Sequence, residues 1–83
     1  MSNFAVLAGP IRFVNKMDTR DQRTQSITES TSVDGAKTYA LHIRYYKEAR
    51  EEKRGTNIME DLETALIRFQ TNCHLFEAEG YEN

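Results

Sequence analysis

The sequence predicts an α+β domain, an antiparallel sheet of three to four strands packed against one long C-terminal amphipathic helix. Three observations carry this. From Lys37 to Tyr46 the chain alternates, with Tyr39, Leu41, Ile43 and Tyr45 on one side and Ala40, His42, Arg44 and Tyr46 on the other. That is the period-two pattern of a half-buried strand. Asp34-Gly35, just before it, is a strong hairpin signal. Further on, Met59, Leu62, Leu66, Phe69, Cys73 and Phe76 recur at steps of 3 and 4, a helical seam. A sheet with one apolar face and a helix with one apolar stripe bury each other in two layers.

The elements follow in chain order. Phe4 to Ala8 is a short apolar run, followed by Gly9-Pro10. Ile11 to Met17 then alternates, with Ile11, Phe13 and Met17 opposite Arg12, Val14 and Lys16. These read as two short strands or one bent strand. Asp18 to Arg23 is polar and reads as a loop. Thr24 to Val33 holds six Ser/Thr in ten residues, a composition that fits either disorder or a strand. A two-residue Asp-Gly loop would pair Val33 with Ala36 and set Ile27 opposite His42. One more loop residue pairs Val33 with Lys37 and unites Ile27, Thr31 and Val33 with Ile43, Tyr39 and Leu41 on one apolar face. Burial favours the longer loop or a bulge, because a one-residue slip turns a strand over. Residues 47–56 form a charged connection with room for a turn or two of helix. Asn57 is a candidate N-cap with Glu60 three residues on. The helix is expected over 57–79, with Gly80 as its stop and 80–83 as a short tail. The whole of 1–83 reads as one small domain, β-rich over 1–46.

At 83 residues and 9.6 kDa, a compact folded chain exposes roughly 5,000 Å². That supports one modest core and no deep, water-excluding substrate cavity. The single cysteine excludes an internal disulfide and points to a reducing, cytoplasmic setting. No apolar run is long enough to cross a membrane, and no secretory leader is legible in the first residues. The net charge of −2 hides a segregation. Residues 1–54 carry ten of the eleven Lys/Arg against seven acids, whereas 55–83 carry Arg68 alone against six. Opposite signs on the two halves suggest two faces of opposite charge.

The residues offer little for catalysis. Cys73 lies on the helical seam, as a packed small hydrophobe does, and His74 beside it points about 100° away. Cys73, His74 and His42 lack metal-ligand spacing. No catalytic residue, metal or cofactor is expected, and the chain reads as non-enzymatic.

Two surfaces are candidates for binding. Glu77, Glu79 and Glu82 form an acidic helix end suited to a basic surface on a partner protein. His42, Arg44, Tyr46, Lys47 and Arg50 form a basic, aromatic sheet face of the kind that tracks nucleic acid. Arg12, Lys16, Arg20 and Arg23 are available from adjacent strands. Ile58, Ile67 and Leu75 fall off the helical seam and suggest a homodimer or a partner-covered surface. Leu66, on the seam, is expected to be core, so that Leu66→Asp should unfold the protein. No motif places the chain in a family. In size and style, not in sequence, it is similar to the small inhibitors that phages and other mobile elements carry against host defence, anti-CRISPR proteins among them. That resemblance implies a non-enzymatic, protein-binding inhibitor. The alternative is a nucleic-acid- or nucleotide-binding module.

Overall fold

The computed structural model describes residues 3–48 and 50–83. The fold is α+β, as expected, with more strands and a shorter helix. Five strands and one helix follow in the order β1 (Asn3–Asn15), β2 (Gln22–Thr31), β3 (Lys37–Lys47), β4 (Arg50–Met59), α1 (Leu62–Ala78) and β5 (Tyr81–Glu82). The strands form one antiparallel sheet in the order β4-β3-β2-β1-β5.

β1 is one strand, not two. Its pairing with β2 shifts register between Val6 and Ala8 and again between Ala8 and Ile11. Gly9 sits in this bulge at φ 74°, where a Cβ would lie 2.4 Å from the Gln25 carbonyl oxygen. Only glycine allows that approach. The Ser/Thr-rich stretch is strand β2, at the centre of the sheet. Thr suits strands, and β2 has a partner strand on each side, which gives its backbone groups ladder partners in both directions outside the β1 bulge.

The β2–β3 hairpin keeps the expected face but not the expected pairing. Ile27 lies opposite Leu41 and Thr31 opposite Lys37. Ile27 thus shares a side with Tyr39, Leu41 and Ile43. The loop spans residues 32–36, and Val33 is in it, 81% exposed, rather than on the apolar face. Asp34 explains the extra residues. Its carboxylate accepts from the Ser32 hydroxyl and from the Ala36 N–H, and the Ser32 N–H donates to the Ala36 carbonyl. This loop closes on itself without a tight Asp-Gly turn.

The charged connection is strand β4. Arg44 pairs with Arg54, His42 with Thr56 and Ala40 with Ile58. The chain reverses after Lys47, at Glu48, which takes φ 53°; Ala49 of this segment lies outside the described residues. Asn57 is therefore in a strand and caps nothing. The helix begins later, where the Asp61 carboxylate accepts from the N–H groups of Glu63 and Thr64. It runs 17 residues, about 25 Å, shorter than the sequence suggested because β4 takes up 57–59.

The helix lies across one face of the sheet in two patches. Phe13, Phe76 and Tyr81 form one, with Ile11, Ile43 and Cys73 against them. Ile27, Leu41 and Ala65 form the other, with Ala8, Tyr39, Met59 and Phe69. Ala65 is fully buried, and its small side chain lets the helix approach β2 and β3. Leu66, expected in the core, is 46% exposed instead. The true contact line runs through Ala65, Phe69, Cys73 and Phe76, rotated by one residue at its N-terminal end. The tail is not loose, for β5 pairs with β1 and buries Tyr81.

The molecule measures 47 × 24 × 15 Å and exposes 5802 Å². That is more than the roughly 5,000 Å² of a compact chain of this mass, because the sheet is covered on one side only.

Candidate functional site

The second face of the sheet carries the candidate site. β2 supplies its floor. Strand alternation sends Ile27 and Gln25 to the helix and leaves Gln22, Thr24, Ser26, Thr28 and Ser30 facing outward. This is a row of short polar side chains along the middle strand. β3 adds His42, Arg44 and Tyr46 beside it. β4 adds Arg54, Thr56 and Ile58, and β1 adds Phe4, Val6, Pro10 and Arg12. Two shallow hollows follow the floor. One of about 260 Å³ lies among Phe4, Val6, Pro10, Thr24, Ser26, Thr28, His42 and Arg44. The other, about 360 Å³, lies among Arg12, Thr19, Arg20, Gln22 and Tyr46.

The face is basic at one end and apolar at the other. Arg44 and Arg54 are direct cross-strand neighbours, and Glu51 lies between them. Its carboxylate accepts from Arg54 at 2.7 and 3.1 Å and stands 3.7 Å from Arg44 Nε. The Arg54 hydrogen bonds hold the Glu51 carboxyl below the usual carboxylate range. One carboxylate serves two guanidinium groups, so positive charge remains. Arg12 lies over the Tyr46 ring at 5.9 Å, a cation–π contact, and donates to Gln22. At the other end Phe4 is 68% exposed and Ile58 69%.

His42 sits between these ends. Its Nε2 is 2.8 Å from Thr28 Oγ1 and its Nδ1 3.2 Å from Thr56 Oγ1. Burial, with Arg44 nearby, holds its pKa below the ordinary histidine value. A neutral ring donates from one nitrogen and accepts at the other, which suits two hydroxyl partners. Neither threonine is a catalytic base.

The structure brings together His42, Arg44 and Tyr46 as the alternation indicated. Lys47 and Arg50 pair with each other at the end of the β3–β4 hairpin and border the face rather than line its floor. Arg23 is on the opposite side, in a box of Tyr45, Phe76 and Tyr81 rings at 5.2, 5.0 and 4.3 Å. Of the acidic helix end, Glu79 accepts from Arg23 Nη1 at 2.5 Å, so it is already paired. Glu77 is exposed on the last turn of the helix, and Glu82 lies in β5 opposite Val14. Arg54, Thr56 and the Thr24/Ser26/Thr28 floor escaped sequence reasoning. The charged run 50–54 has no apolar alternation to mark it as a strand, and these residues meet only through the pairing of β2, β3 and β4.

Cys73 is partly buried and free. Burial pushes its thiol up from the usual value, the reverse of an activated nucleophile. Among the described residues no group of His, Cys, Asp or Glu is placed to hold a metal ion, and no helix is long and apolar enough to cross a membrane. Comparison with protein-family models, with curated proteins and with solved structures gives no match.

Proposed function

We propose that the chain is a non-enzymatic binding protein that works through its uncovered sheet face, and that its partner is a protein. The observation that supports this is the composition of that face. Exposed Phe4, Val6 and Ile58 flank Arg12, Arg44, Arg54 and Tyr46 over a flat floor of small hydroxyl side chains. Aromatic residues and arginine beside apolar anchors are the groups that carry most of the energy in protein interfaces. The basic end selects a partner that presents acidic residues. An inhibitor of the anti-CRISPR type is one form of this reading, in which occupation of a partner's surface is the whole activity.

A second reading rests on Arg12, Tyr46, Arg44 and Arg54 alone. Those four make a basic strip with one aromatic ring, which suits single-stranded nucleic acid.

The test compares two charge-reversed proteins in affinity capture. Arg44→Glu with Arg54→Glu alters the sheet face, and Glu77→Lys with Glu82→Lys alters the acidic end without touching the Glu79–Arg23 pair. The expected result is a protein captured by the wild type and by the acidic-end variant but not by the sheet-face variant. Capture lost only with the acidic-end variant overturns the proposal. Nucleic acid is tested separately with a labelled single-stranded RNA. Binding with a salt slope that Arg44→Ala lowers would establish the second reading in its place.

A further inference from the structure

The two edges of the sheet are unlike. Edge strand β4 carries Arg50, Glu51, Glu52, Lys53 and Arg54. Such a run of charge deters another strand from adding on. At the other edge β5 covers only Val14 and Asn15 of β1. Upstream, the stretch Asn3–Ala8 reads NFAVLA and carries no charge. Among the described residues no strand lies beside its outer edge. The helix packs on β2, β3, β4 and β5 and meets β1 further along, at Phe13; apart from Ala8, which borders the patch around Ala65, this stretch is also exposed on its faces. Phe4, Val6 and Leu7 are 68%, 54% and 43% exposed. Asn3–Ala8 is thus an uncharged, apolar strand segment paired along one edge alone.

We propose that Asn3–Ala8 of β1 pairs antiparallel with the same segment of a second copy, forming a homodimer whose sheet runs through both protomers. A second copy suits this edge for three reasons. Antiparallel pairing of one strand with itself is two-fold symmetric, so a single interface satisfies both free edges and closes the assembly. Neither strand carries charge, so nothing repels across the join. Phe4 and Val6 face the same side, so those of both copies meet there as cross-strand neighbours. Gly9, at positive φ, and Pro10, which has no N–H, end the pairable stretch. They set its length at about 20 Å. Arg12 lies beyond that end, and the two-fold axis sends the basic ends of the two copies to opposite extremities.

This assembly shares Phe4 and Val6 with the face proposed above, but its test reads self-association alone and is separate. Sedimentation of the full chain between 1 and 100 µM is compared among three proteins. These are the wild type, Val6→Lys with Leu7→Lys, and Ile67→Lys with Leu75→Lys on the outer face of the helix. The expected result is dimer at 100 µM for the wild type and the helix variant, and monomer for the β1 variant. Amide exchange of Asn3–Ala8 in the wild type should slow as concentration rises. A wild type that stays monomeric at 100 µM overturns the proposal. So does a dimer that survives the β1 substitutions, or one lost only with the helix substitutions. Should the β1 variant fail to fold, exchange in the wild type decides: rates in Asn3–Ala8 that do not change with concentration overturn it.

Discussion

Gln25, at the centre of the sheet, accepts a hydrogen bond from Asn72 Nδ2 at 2.8 Å and has no exposed surface. Its own Nε2 donates to the Phe69 carbonyl at 3.0 Å and lies 3.5 Å from Cys73 Sγ. One buried amide therefore holds one turn of α1 to β2, between the two apolar patches. Gln25→Ala removes this bridge and leaves a cavity. It should destabilise the fold by about 3 kcal/mol. Denaturant titration checks this, and a loss below about 1 kcal/mol would mean that the bridge is idle.

A second tie closes the far end of the sheet. The Tyr81 hydroxyl donates to Asp21 Oδ2 at 2.6 Å and Asn15 Nδ2 donates to the same oxygen at 3.0 Å. These hydrogen bonds, Tyr81 first, hold the Asp21 carboxyl below the usual carboxylate range. A depressed folded pKa gives stability that is present above the unfolded value near 4 and is lost as pH falls through the folded value. Tyr81→Phe should cost about 1 kcal/mol at pH 7 and reduce the loss of stability on acidification below pH 4. An unchanged acid limb in the variant would show that Asp21 does not carry it.

Much of this fold was legible because its clearest elements obey one period. Tyr39 to Tyr45 alternates cleanly, and the face it defines is the one the helix covers. The seam through Phe69, Cys73 and Phe76 is likewise in the contact line. Reading failed where a local signal competed with tertiary placement. Asn57 and Glu60 have capping chemistry, yet the sheet takes Asn57 as a partner of Leu41, and Asp61 caps instead. In residues 50–54 dense charge hid a strand, because an edge strand needs charge for protection rather than an apolar face for burial. Within the candidate site, His42, Arg44 and Tyr46 followed from alternation alone. Arg54 and the outward row of β2 did not, since they join the face only through pairings of strands distant in sequence.

His42 makes stability depend on pH near neutrality. Its folded pKa is lowered by burial, then by Arg44. For a basic group with a depressed folded pKa, the unfolded chain binds the extra proton first. The stability is therefore present above the unfolded value of about 6.5 and is lost as pH falls from there toward the folded value. His42→Gln should flatten this part of the curve. Melting temperatures of both proteins between pH 8 and pH 5 check it, and parallel curves would refute it.

Ala65 and Leu66 separate the observed packing from the one the seam suggested. Ala65 is fully buried against Ile27 and Leu41, whereas Leu66 is 46% exposed. A carboxylate at 65 must be desolvated between helix and sheet, against Ile27, Leu41, Tyr39, Met59 and Phe69. Ala65→Asp should cost about 4 kcal/mol or more and leave little folded protein. At 66 a carboxylate reaches water, so Leu66→Asp should cost about 1 kcal/mol and leave a cooperative melt. Thermal unfolding of the two variants side by side decides. Equal damage at both positions would place the helix in the rotation read from the sequence, with Leu66 facing the sheet.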